Sequence, residues 1–152
     1  SLLWGQGKLD DAEPLLRKAL EVSRRKLGTE HPNTLVLISN LGSLLQAQGK
    51  LDEAESLYRE VLKGVRQVFG DDDPETLSAL YFLAGLLQNK NNLQEAELLL
   101  REALEVLSRT SGNDHPSTLK VKQSLEALLK EKQASESPPP DPPSDDKDGD
   151  QP

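Results

Sequence analysis

Residues 41–62, LGSLLQAQGKLDEAESLYREVL, and residues 83–104, LAGLLQNKNNLQEAELLLREAL, carry one pattern twice. In each, apolar residues recur three or four apart, Gly49 or Asn91 interrupts them, and a second run opens on Leu-x-Glu-Ala-Glu. Apolar residues at that spacing predict amphipathic helices. Gly and Asn are the residues that adopt the left-handed conformation at a helix C-terminus most cheaply, so the interruption predicts a tight turn between two helices.

Shifting the whole chain by 42 brings its other marks into line. Gly7 joins Gly49 and Asn91, and Ala12 joins Ala54 and Ala96. Gly28, Gly70 and Gly112 align, as do Pro32, Pro74 and Pro116, then Thr34, Thr76 and Thr118. Between residues 1–28 and 43–70 there are 15 identities. The chain is therefore a repeat array, in which each unit buries its apolar face only by stacking on the next. In the unit that begins at Pro32, the first helix is expected from Asn33 to about Gln48. The second is expected from a capping Asp52, paired with Glu55 as a capping box, to about Phe69. Asp73 is expected to cap the next first helix, with Pro74 at its first position, where a missing N–H costs nothing.

Composition narrows the function. The 152 residues are 35% hydrophobic and 29% charged, with net charge −8 and no Cys. Without Cys there is no disulfide scaffold, thiolate zinc site or cysteine nucleophile. A nucleic-acid surface would need a basic patch, and no run approaches the ~18 apolar residues of a membrane helix. Residues 134–152 hold six acids and one base, net −5, together with six of the ten prolines. That stretch has too little apolar area to offset the entropy of ordering and is expected to be a disordered acidic, Pro-rich tail with polyproline II character. The expected domains are thus an array over 1–133, with units 1–28, 29–70 and 71–112 and a capping helix 113–133, followed by the tail. Ser1 aligns inside a first helix and the sequence has no Met, so Ser1 is expected to be a cut end with repeats or other domains upstream. A cut helix and six full ones are expected. In the last helix, Lys122 and Glu126 stand where the earlier units have Ile38 and Gly42, the mark of a cap that faces solvent.

Two features could suggest chemistry. His31 and His115 are two periods apart and take the place of Asp73, so helix capping explains them better than metal or proton transfer. Glu53, Glu55, Glu95 and Glu97 recur in the first turn of each second helix, where the helix dipole favours acids. No phosphate loop, nucleophile elbow or zinc-binding helix motif is present, so no catalytic residue, cofactor or metal is expected.

The period alone leaves armadillo-like and HEAT-like helices open, while propeller blades would need strands that this composition does not support. The order L-G/A, G, E-A-E resembles the tetratricopeptide repeat. The phrases LGTEHPNTL, FGDDDPETL and SGNDHPSTL resemble its 42-residue form, seen in kinesin light chains and the nephrocystin family. The resemblance implies an all-α right-handed solenoid and a non-enzymatic scaffold that binds a protein or peptide partner in a concave groove lined by first helices. It also implies a cytoplasmic setting, cytoskeletal or ciliary. A regulatory appendage of a larger upstream enzyme or NTPase is the alternative. On the repeat alignment the groove positions are Val36, Ser39, Ser43 and Gln46, then Ser78, Tyr81, Gly85, Gln88 and Asn89, then Lys120, Gln123, Ala127 and Lys130, with Trp4 equivalent to Gln46. Hydroxyl and amide side chains there can donate to and accept from a peptide backbone. Kinesin light chains bind acidic, Trp-containing peptides and carry a paired Asn before Leu-Ala. Here Asn40 before Leu41-Gly42 matches one of that pair, and its equivalents are Phe82 and Ser124. An acidic peptide is therefore expected only near Lys120 and Lys130. Removing residues 134–152 should leave the thermal midpoint unchanged, which scanning calorimetry would check.

Overall fold

The computed structural model describes residues 2–136, with side chains from Gly5 onward. Of the expected tail 134–152, residues 134–136 are helical, and the stretch from 137 lies outside the described residues, as does the Trp4 side chain. Six helices follow in order: α1 Leu2–Leu27, α2 Pro32–Ala47, α3 Leu51–Phe69, α4 Pro74–Asn89, α5 Leu93–Thr110 and α6 Pro116–Glu136. Each packs on its neighbours in sequence, so the array grows in one direction.

The ends of the helices follow the turn chemistry. Gly49 and Asn91 have φ of 81° and 62°. At both, the chain closes with a paired bond pattern that satisfies the last carbonyls: Gly49 N–H to Gln46 O at 3.0 Å with Lys50 N–H to Leu45 O at 2.8 Å, and Asn91 N–H to Gln88 O at 3.0 Å with Asn92 N–H to Leu87 O at 2.8 Å. This turn is so short that α3 starts at once on Leu51, with Lys50 as its N-cap and no side-chain cap bond. The expected capping box at Asp52 and Glu55 is therefore not formed. Asp52 already lies inside the helix, and both carboxylates turn to Lys90 Nζ, at 2.6 and 3.0 Å.

The expected caps elsewhere are present. Asp73 accepts from the Glu75 N–H, and the Nδ1 of His31 and of His115 accepts from the N–H two residues on. Three threonines complete these turns. Thr76 Oγ1 donates to Gly70 O and Thr118 Oγ1 to Gly112 O, at 2.6 and 2.8 Å, while Thr34 Oγ1 meets Ser23 Oγ at 2.7 Å. All three are buried.

One expected break is absent. The repeat alignment predicts that Gly7 separates a cut first helix from a second, but α1 is continuous from Leu2 to Leu27. Fewer than two turns precede Gly7, too short a stretch to fold back as a helix, and nothing lies within 4 Å of where a Cβ would sit. Continuing the helix satisfies the backbone at no packing cost. There are thus six helices, not seven, among the described residues.

α2 and α4 each lie between two helices and bury seven residues, whereas α6 buries four, Thr118, Val121, Leu125 and Leu128. Lys122 and Glu126 are exposed. The closest helix contacts use small residues. A Cβ on Gly42 would sit 3.0 Å from the Tyr58 ring. One unit on, the same pair is Ala84 and Leu100, a larger residue facing a smaller one.

The second helices are tied to each other by charge. Arg17 to Glu53 and Arg59 to Glu95 are one pairing a period apart, and Arg24 to Glu60 and Arg66 to Glu102 are another. A third pairing runs instead from the end of a first helix back to the preceding second helix: Lys90, which follows α4, with Glu55, and Lys132 of α6 with Glu97. The acid pairs of each second helix are thus the receiving side of a ladder between units, a role that the first-turn argument alone does not reveal. The bonds from Arg59 to Glu95 and from Lys132 to Glu97 hold both carboxyls below the usual glutamate range, and Lys90 does the same for Asp52.

This packing and this ladder each have a measurable consequence. Ala54, fully buried, has no room for growth. Ala54→Leu should lower stability by about 1–3 kcal/mol, measured by urea unfolding. A depressed carboxyl stabilises the fold above its unfolded value and loses that contribution as acid protonates it. The thermal midpoint should therefore hold from pH 7 to about 5 and fall below about 4.5, and Glu95→Gln with Glu97→Gln should flatten that fall.

Candidate functional site

The first helices α2, α4 and α6 make one face, and α1, α3 and α5, with their ion ladder, make the other. Between α2 and α4 lies a cleft of about 500 Å³. Its walls bring together Val36, Ser39 and Asn40 from α2 with Ser78 and Phe82 from α4, over a floor of Val61, Val65 and Phe69 from α3. Asp73 and Glu75 stand at its rim. A second, smaller cleft of about 270 Å³ separates α4 from α6 and is lined by Ser78, Tyr81, Phe82, Ser117 and Lys120. Ser78 and Phe82 border both.

The expected groove residues fall into three sets. Ser39, Asn40 and Ser78 line the first cleft, where Ser78 and Asn40 are exposed. Tyr81 and Lys120 line the second, with the Lys120 ammonium 5.0 Å over the Tyr81 ring and the Tyr81 hydroxyl 3.3 Å from Ser124 Oγ. Ser43 and Gln46 enter neither cleft. They are fastened to the buried Tyr58, whose hydroxyl lies 2.9 Å from Ser43 Oγ and donates to Gln46 Oε1 at 3.1 Å. Among the described residues no hydrogen bond from the Gln46 amide N–H donors is seen. Gln88 donates to Glu131 at 2.7 Å, so its amide is engaged across the α4–α6 seam. Asn89, Gln123 and Lys130 are exposed and border neither cleft.

Polarity is where the residues say more than the alignment does. Hydroxyls and amides are expected to dominate, yet the first cleft is mainly apolar. Val36 is 56% exposed and Phe82 50%. Phe82 stacks near-parallel to Tyr58 and lies edge-on to Tyr81, both at 6.4 Å between centroids. The signal is present in the sequence: Phe82 takes the place of Asn40 and Ser124, a large aromatic at a position that is polar in the neighbouring units.

Among the described residues no group of three or more His, Cys, Asp or Glu could hold a metal ion, and no helix is long and apolar enough to cross a membrane.

Solved structures share this arrangement. The nearly identical TPR-like repeats of a Podosopora anserina protein assigned as a kinesin light chain superpose with TM-score 0.76 at 26% identity, over 84% of this chain and 60% of that one. A single-substitution variant of the same repeats gives 0.74 at 25%, over 81% and 58%. BtubC (BKLC) from P. vanneervenii gives 0.66 at 20%, over 90% and 61%, a likeness of fold alone. The chain thus spans about three fifths of each of these structures. No curated protein matches it. The tetratricopeptide repeat model matches residues 1–67 and 35–109, more than half the chain. The chain belongs to the tetratricopeptide repeat family.

Proposed function

We propose that residues 1–133, as units 1–28, 29–70 and 71–112 with the helix 113–133, act as one protein-interaction scaffold. In this reading a partner segment lies along the α2–α4–α6 face, in the manner of a kinesin-light-chain-like adaptor in a cytoplasmic, cytoskeletal setting. The mechanism is non-covalent. The observation that carries it is the exposed apolar side of the α2–α4 cleft: Val36 and Phe82 stay half in water on a face that the rest of the fold leaves open. Covering such surface releases about 25 cal/mol per Å². Around it, Asn40 and Ser78 can bond a peptide backbone, and further along the same face Gln46 can do so and Tyr81 offers an amphipathic anchor of the kind enriched at binding hot spots. The scaffold supplies position and contact, and no reacting group.

The test compares two faces of one protein. Tyr81→Ala with Gln88→Ala alters the first-helix face, and Arg17→Ala with Arg59→Ala alters the ladder. In affinity capture, the first pair should lose partners that the second retains, with helicity by circular dichroism unchanged in both. Equal retention by the two would place the binding surface elsewhere.

A further inference from the structure

We infer that the α2–α4 cleft receives a large apolar side chain of a partner peptide that carries Lys or Arg beside it, so that this part of the face selects basic-flanked segments. This rests on the first-helix face being the binding surface and names the chemistry of what it binds.

The two seams of that face differ. Between α4 and α6, Tyr81 reaches Ser124 and Gln88 donates to Glu131. One unit earlier the same positions hold Ser39 with Phe82, and Gln46 with Asn89. Among the described residues no side-chain hydrogen bond joins α2 to α4. The second seam is bridged by side-chain hydrogen bonds and the first is not, and the larger cleft lies at the first. Its volume is within the range of sites that hold a small ligand, and is ample for one aromatic side chain.

Aromatic surface is concentrated at this spot. The sequence has one Trp, two Tyr and two Phe. Four of these gather here: Phe69 and Phe82 in the cleft, with Tyr58 and Tyr81 against the two sides of Phe82. An apolar partner side chain would complete a cluster that is otherwise open to water.

Charge then decides the flank. α2 and α4 contain no Lys or Arg, and their one charged residue is Glu75. It is exposed at the rim next to Asp73, which is occupied in capping α4. The other acids of that turn are engaged, Asp72 by Arg109 and Asp71 by Arg66. A partner carboxylate beside the cleft would meet only like charge. A Lys or Arg there finds Glu75. One unit further the sign reverses at Lys120, so the same segment can turn acidic only beyond the α4–α6 seam.

The experiment selects a random phage-displayed peptide library on the immobilised full chain and measures representative synthetic peptides by fluorescence anisotropy. The variants are Phe82→Ser, Glu75→Lys, and Tyr81→Ala with Gln88→Ala. Both single changes are at exposed positions, and circular dichroism confirms that each variant is folded. Peptides with an aromatic or Leu beside Lys or Arg should be recovered and should weaken about tenfold on Phe82→Ser and on Glu75→Lys. Selection on Glu75→Lys should shift the flank to Asp or Glu. Acid-flanked peptides from the unaltered chain, or a library that yields nothing sensitive to Phe82→Ser or Glu75→Lys, overturns the inference. Peptides lost only with Tyr81→Ala and Gln88→Ala sink the cleft chemistry but leave the binding face standing. Peptides that bind all variants equally remove both.

Discussion

Everything in this solenoid depends on how one unit is fastened to the next, and the centre of that fastening is a buried threonine hydroxyl. In Thr76 and Thr118 it donates to the carbonyl of the glycine that ends the previous second helix. The glycine, at φ near 90°, turns the chain, and the hydroxyl satisfies its carbonyl. Two residues earlier, Pro presets the helical φ and the residue before it caps the start. Four positions thus fix the angle at which each first helix enters, and Leu35, Ile38, Leu41 and Leu45 then bury themselves against α1 and α3. Thr34 keeps the burial but changes the partner to Ser23, so the constraint is on a satisfied hydroxyl rather than on one acceptor.

This division of labour separates two faces. The second helices carry long charged side chains that reach across units, and because the pairs are largely exposed each one adds little to stability. They set register more than they add stability. The first helices are built from short side chains and buried leucines, and their outer positions are not needed for stacking. Freed from that task, they can vary between units: Asn40, Phe82 and Ser124 occupy one structural position. Variation of that sort turns a repeated scaffold into a surface with a particular shape and charge.

Much of this was legible in the sequence because its marks are local. Gly49, Asn91, Asp73 and Pro74 act on the backbone within a few residues, so their spacing predicted every later turn. The failures are equally physical. Asp52 has the right type for a cap, but the tight turn at Gly49 begins the helix two residues too early for it. Gly7 has the right alignment, but a glycine permits a break and does not compel one, and the stretch before it is too short to fold back. Ser43 and Gln46 lie on the expected face, yet Tyr58 claims them, a contact between residues 15 and 12 apart that no periodicity contains. The openness of one seam and the closure of the other depend on pairs such as Tyr81 with Ser124, 43 residues apart. They become visible only once the helices are stacked.

The ladder has an evolutionary consequence. Its arginines find their glutamates 36 positions ahead, in a chain whose unit is 42. Donor and acceptor sit on successive copies of the same helix, and α3 carries both halves of both pairings: Glu53 and Glu60 receive from α1, and Arg59 and Arg66 donate to α5. Duplicating the unit that holds α3 creates a new boundary that is already matched, and deleting it brings Arg17 to Glu95 and Arg24 to Glu102, halves that still fit. Inserting or losing a few residues inside a unit breaks that match at both boundaries. Arrays joined in this way can lengthen and shorten in whole steps while their joints need no redesign, leaving selection free to work on the outer positions of the first helices.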